Sequence, residues 1–152
     1  MNIKVIDHAL EDIQDFSGNS RIKDLLTQAL LILICAQFEK EIENCLTRRC
    51  ASVSDEAIKG FIDDYIQGSA LRSLKISNLS GLLKKFDPSY KKMFTEKINQ
   101  NGQAKVTYDS ILTNRNSVAH GEGTNATFEE VKMYYEQGHI ILDYFEQALR
   151  VN

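Results

Sequence analysis

Eight consecutive apolar residues, Ala29 to Ala36 ("ALLILICA"), sit inside a segment expected to be helical from near Ser20 to about Arg49. A helix that is apolar on every side must be central to its fold, or must touch both a core and a partner. Eight residues are too few to cross a bilayer, which needs roughly 20, so no membrane role is expected. The second half of the segment, "QFEKEIENCLTRRC", is amphipathic and rich in charge. The rest of the chain has to build around this one helix.

The neighbouring segments are also helical in pattern. Ile3, Ile6, Ala9, Leu10, Ile13 and Phe16 recur at helical spacing, and "SGNS" ends that run. Ser54 opens "SDEAIKGFIDDYIQG", with carboxylates in the first turn and Gly68 as the expected stop. "SNLSGLLKKF" predicts a short helix. "DPSYKKMFTEKINQ" predicts another, capped by Asp87 with Pro88 at its first position. "NQNGQ" reads as a loop before a helix from about Ala104 to Ala119. A turn, "GEGTNA", follows. Thr127 and Glu130 then form a capping box for a last helix with Phe128, Val131, Tyr135, Leu142, Phe145 and Leu149 in one stripe.

No alternating strand pattern and no internal repeat of 20–50 residues occurs. With 152 residues, one proline and no tryptophan, the chain reads as a single domain, residues 1–152. The expected fold class is all-α, a bundle of two long helices and several shorter ones. The helices near 20–49 and 128–150 are expected to pack antiparallel beside the helix ending at Ala119.

Composition narrows the function classes. Apolar residues make up 43% and charged ones 26%, the balance of a soluble globular protein. The N-terminus is acidic and amphipathic, without the apolar centre or cleavage site of a signal peptide. Cys35, Cys45 and Cys50 are odd in number and match no zinc spacing, so reduced thiols in the cytoplasm are expected. The net charge of −3 is unevenly spread. Residues 72–105 carry eight basic groups (Arg72, Lys75, Lys84, Lys85, Lys91, Lys92, Lys97 and Lys105) against two acidic ones, while both flanks are acidic. Such a block can hold a phosphate backbone, or can be an ordinary solvated helix face. Lys84, Lys85, Lys91 and Lys92 are the candidate phosphate-backbone contacts.

One short stretch breaks the apolar logic. In "LTNRNSVAHGEGT", Tyr108, Ile111 and Leu112 face a core, and the stripe continues to Val118 and Ala119. Arg115 stands where that stripe asks for an apolar side chain. A guanidinium there needs an anion or a wet cleft, so it is half of a buried ion pair or a phosphate clamp. His120 lies about 140° round a regular helix from Arg115. Asn116 and His120 share a face at i, i+4, and Gly121 should end the helix at His120. A histidine there is an ordinary helix-capping residue or a group moving protons near neutral pH. His8 and His139 read as structural. No GxxxxGK, GxSxG, HExxH or CxxC pattern is present, which excludes the enzyme classes that rest on them.

"RNSVAHG" resembles the R-x4-6-H signature of the HEPN superfamily. "YDSILTN" before it, glycine after it and a capped terminal helix beyond strengthen the match. "LLILICAQFEKEIENCL" is similar to the second helix of the RiboL-PSP type of HEPN domain. The resemblance covers roughly residues 20–150, with residues about 50–105 read as a family-specific helical insertion. It implies a metal-independent endoribonuclease with no cofactor, acting on RNA as a homodimer that sets two motifs across one cleft. Carried over residue by residue, Arg115 and His120 are catalytic, Asn116 fills the polar position after the arginine, and Glu39 is the carboxylate of the facing helix. A toxin or defence role, with an antitoxin or other protein partner, is one setting for such an enzyme. The alternative is a non-catalytic helical module that binds RNA or protein, with Arg115 held in a buried pair. A solvent-open Arg115 and His120 favour the first reading.

Overall fold

The computed structural model describes residues 3–70 and 74–149. Among the described residues there are seven α-helices and no strand. They are α1 (Ile3–Gln14), α2 (Ser20–Cys50), α3 (Glu56–Tyr65), α4 (Ile76–Phe86), α5 (Pro88–Gln100), α6 (Gly102–Ala119) and α7 (Phe128–Leu149). The all-α expectation holds.

The helix starts follow from local chemistry. Asn19 caps α2 by accepting the Arg21 N–H at 2.8 Å. The carboxylate of Asp55, rather than Ser54, caps α3 by accepting from Ala57 and Ile58. Asp87 caps α5 by accepting from Ser89 at 2.7 Å, with Pro88 in the first turn as expected. Thr127 and Glu130 form the reciprocal box at the start of α7: the Thr127 N–H reaches Glu130 at 2.8 Å, and the Glu130 N–H reaches the Thr127 hydroxyl at 3.3 Å.

Two boundaries differ from the sequence reading. Gly68 does not stop α3, because the chain runs on through a π-helical segment, Ile66–Ala70. "NQNGQ" is no loop. Asn101 alone joins α5 to α6, and its side chain caps α6 by accepting the Ala104 N–H at 3.1 Å. An Asn cap lets the second helix start at once, so no longer connection is needed.

The core is set by α2, α6 and α7. Phe38 of α2 is fully buried, with its ring stacked on Tyr108 of α6 (6.2 Å) and Tyr135 of α7 (6.3 Å) and edge-on to His139 (5.2 Å). It fits because Gly138 has no side chain: a Cβ there would lie 2.5 Å from the Phe38 ring. Lys23 lies over the Phe128 ring near the start of both helices, and Arg48 pairs with Glu146 at 2.8 Å near their ends. So α2 and α7 run parallel, not antiparallel as expected. The short turn after α6 reverses α7 against it, and α2 is antiparallel to α6 as well, with Phe38 at Tyr108 and Gln28 at Gly123. Two helices that each oppose α6 must run the same way.

His139 is structural, as expected: its Nδ1 lies 3.4 Å from the Glu41 carboxylate and its ring packs on Phe38 and Tyr135. Burial alone would raise the Glu41 carboxyl, but hydrogen bonds from His139 and Gln37 and the imidazole charge outweigh it and lower its pKa. The stability this link supplies is therefore present above the unfolded carboxylate range and is lost as pH falls through the lowered folded value.

"ALLILICA" divides into two faces. Leu30, Leu31, Ile34 and Cys35 are buried, Ile32 and Leu33 are half-buried, and Ala29 and Ala36 are exposed. Ile22, Leu25 and Leu26 are 49%, 59% and 38% exposed. At about 100° per residue, Ile22, Leu25, Leu26, Ala29, Leu33 and Ala36 form one outward apolar stripe. Among the described residues, no helix is long and apolar enough to cross a membrane.

Candidate active site

The C-terminal half of α6 carries the RNSVAH sequence. The helix ends at His120 because Gly121 adopts a left-handed φ of 78°, which costs glycine nothing. The Gly121 N–H then donates to Val118 at 3.0 Å and the Glu122 N–H to Ser117 at 2.9 Å, the paired bonds that close a helix at a left-handed glycine. Backbone geometry alone thus fixes where His120 leaves the helix.

Arg115 is half-buried, and Asn116 and His120 are exposed. The apolar stripe reaches Val118, which packs on the core, but Ala119 is exposed and lies outside it. In the last turn of α6 Val118 turns to the core and Ala119, about 100° further round, turns to solvent.

Arg115 looks into a pocket of about 230 Å³ between α2 and α6, lined also by Cys35, Glu39, Lys75 and Asn116. Its Nη1 donates to the Asn116 Oδ1 at 3.3 Å. No carboxylate of a described residue lies within 4 Å of the guanidinium. Burial pushes the Cys35 thiol up to about 12, against the opposing pull of the Arg115 charge, so a neutral thiol, not a thiolate nucleophile, lines this pocket.

His120 lines a second, larger cleft of about 920 Å³ between α4, α5 and α6. Asn116, Leu112 and Lys75 line both spaces, so the two adjoin. The arrangement matches the helical angle between the two motif residues, with Asn116 at the junction. A group placed there meets a fixed cation on one side and an imidazole on the other.

The structure brings Glu39, Arg115 and Asn116 to one pocket and Asn116, His120 and Lys91 to one cleft. Lys84, Lys85 and Lys92 do not line that cleft. Lys85 bonds the Tyr65 hydroxyl and lies over its ring, and Lys92 is 4.0 Å from Glu96. Arg72 of the basic block lies outside the described residues. Lys75 and Lys105 line the cleft instead. Lys84 and Lys85 stand in the last turn of α4, beyond Ser80, while α5 lines the cleft along Lys91, Thr95, Ile98 and Asn99.

Two supports were missed in the sequence. The buried Tyr108 hydroxyl donates to the Leu74 carbonyl at 3.0 Å, fixing the backbone beside Lys75. Asn114 bonds the Ser110 carbonyl at 2.9 Å and accepts from the Thr124 hydroxyl, which accepts the Ala126 N–H at 3.0 Å. The turn after His120 is thereby tied back onto α6. Asn114 stands inside "NRN", but nothing in one sequence separates its role from that of Asn116.

A family model described as RiboL-PSP-HEPN matches residues 2–150. The chain belongs to the RiboL-PSP-HEPN family. No curated protein and no solved structure matches it. The match takes in α1 and residues 50–105 as well as the helices that carried the resemblance. Membership in this HEPN family supports a nuclease or RNA-related role in general.

Proposed function

We propose that this HEPN domain is a metal-independent endoribonuclease that works as a homodimer, with a toxin or defence role and an antitoxin or other protein partner as its setting. The observation that carries this reading is that two spaces adjoin at the exposed Asn116, with Arg115 lining one and His120 the other. RNA carries its own nucleophile. The 2′-oxygen attacks the adjacent phosphorus and the P–O5′ bond breaks. One proton leaves the 2′-hydroxyl and one reaches O5′, giving a 2′,3′-cyclic phosphate and a 5′-hydroxyl. His120 moves a proton in this exchange, and Arg115 neutralises charge on the phosphoryl oxygens. Asn116 holds the guanidinium through its carboxamide oxygen, leaving its NH₂ for the substrate. Glu39 lines the same pocket from α2 and sets a carboxylate in it beside the Arg115 charge.

The test is Arg115→Lys. Lysine keeps the charge and loses the planar fork, so cleavage should fall by about 10²–10³, the scale of removing one donor to a transition-state anion. Thermal melting should be nearly unchanged, since the side chain is half-buried without an ion pair. Full cleavage, or an unfolded protein, would favour a structural arginine and the non-catalytic binding module.

The apolar stripe of α2 supports the homodimer. Glu39 lies at its edge on the same helix, so a second copy seated on the stripe would lie beside the Arg115 pocket. Wild type should scatter light as a dimer at micromolar concentration, and Leu25→Glu as a monomer with reduced cleavage. A monomeric, fully active wild type would remove the homodimer from this account.

A further inference from the structure

The larger cleft exceeds what one phosphate needs. At about 920 Å³ it is four times the Arg115 pocket, and its walls are α4, α5 and α6. We propose that this cleft seats a single RNA strand flanking the scissile phosphate, held by its backbone and 2′-hydroxyls and not by its bases. This rests on the ribonuclease reading of the adjoining site.

Three features of the lining select that ligand. The first is charge. Lys75, Lys91 and Lys105 line the cleft with Asp109 and Glu122. Lys105 is held by Asp109 at 2.9 Å, whereas Lys91 makes no ion pair with a described residue, which leaves it ready for a phosphate. The second is the type of polar group. Ser77, Ser80, Thr95 and Ser117 place hydroxyls on all three walls, and Thr113 adds an acceptor, its proton being donated to the Asp109 carbonyl at 3.0 Å. Hydroxyls can both donate to and accept from a ribose 2′-hydroxyl, the group that marks RNA. The third is what the lining lacks. Among the described residues no Phe, Tyr or Trp borders the cleft, and its imidazole, His120, stands at the scissile phosphate, so bases along the rest of the strand find no stacking platform, and sequence preference should be weak.

Shape then chooses the strand state. α5 and α6 are joined through Asn101 alone, so the cleft is shut at that end. A duplex is a stiff cylinder with phosphates on its outside, and it cannot lower a backbone into a space walled by adjacent helices. A single strand can, with the His120 end of the cleft meeting the phosphate under attack. The α4–α5 hairpin, the part of the chain without a motif, becomes the substrate-guiding wall.

Lys91 and Lys92 provide the test, because these exposed neighbours differ in facing the cleft. Binding is measured in the full-length His120→Ala background by anisotropy of a labelled mixed-sequence single-stranded RNA across a salt series. Adding Lys91→Ala should weaken binding several-fold and make the salt slope shallower by about 0.7, one single-strand phosphate contact. Lys92→Ala should leave both unchanged. Duplex RNA and single-stranded DNA of the same sequence should compete poorly. Equal losses for both lysines, equal competition by duplex or DNA, or an acidic peptide held as tightly as the RNA would overturn the proposal. Cleavage separates this proposal from the reading beneath it. If Lys91→Ala in the otherwise wild-type chain cuts and binds RNA normally while His120→Ala is inactive, the cleft assignment fails and the ribonuclease stands. If the wild type cuts no RNA yet binds it through Lys91, the cleft stands and the ribonuclease fails.

Discussion

His120→Ala should lower RNA cleavage by about 10²–10⁴, the usual contribution of one positioned proton-transfer group. The fold should survive the change. The imidazole is exposed, and the helix end is closed by backbone bonds that an alanine keeps: the residue 120 N–H to Asn116 at 3.0 Å, and those of Gly121 and Glu122. Initial rates on an RNA oligonucleotide, with a thermal melt of the same sample, separate the two effects. The combination of unchanged rate and unchanged melt would remove His120 from the chemistry. A lower melting temperature would instead show that the side chain supports the Gly-rich turn.

Phe38→Ala should cost about 3–5 kcal/mol, the range for emptying a buried aromatic site. Against the about 5–15 kcal/mol that holds a typical domain together, that is a large share. The ring touches all three helices of the core and covers Gly138, so no neighbour can collapse into the void without moving a whole helix. Glu39 follows Phe38 directly, so loosening this anchor also loosens the α2 wall of the Arg115 pocket. Urea denaturation should show a lower midpoint at a similar slope. A loss under about 0.5 kcal/mol, the scale of a neutral surface change, would mean that the ring is not the keystone described.

The sequence carried much of this because helices announce themselves locally. Asp87–Pro88, Thr127–Glu130 and Gly121 each specify a helix end through contacts a few residues apart, and each appears in the structure where the pattern placed it. The core stripe of α7 was equally plain. What failed needed three dimensions. The parallel course of α2 and α7 depends on which helices α6 contacts, and no periodicity encodes that. Asn101 hides a sharp joint inside what looked like a loop. Gly138 looks like a weak point of a helix until the Phe38 ring is seen against it. At the candidate site, the roughly 140° between Arg115 and His120 already suggested two faces. That Asn116 bridges two adjoining spaces, and that Lys91 faces one of them while Lys92 does not, required the packing of α4 and α5.

The most direct measurement is cleavage by the wild-type protein, in EDTA, of a single-stranded RNA beside the same sequence built entirely of 2′-deoxyribose. The account predicts that the RNA is cut without added metal into fragments ending in a 2′,3′-cyclic phosphate, while the deoxy strand stays intact. It is contradicted if the RNA also stays intact, if the deoxy strand is cut, or if cleavage stops in EDTA and returns with a divalent cation.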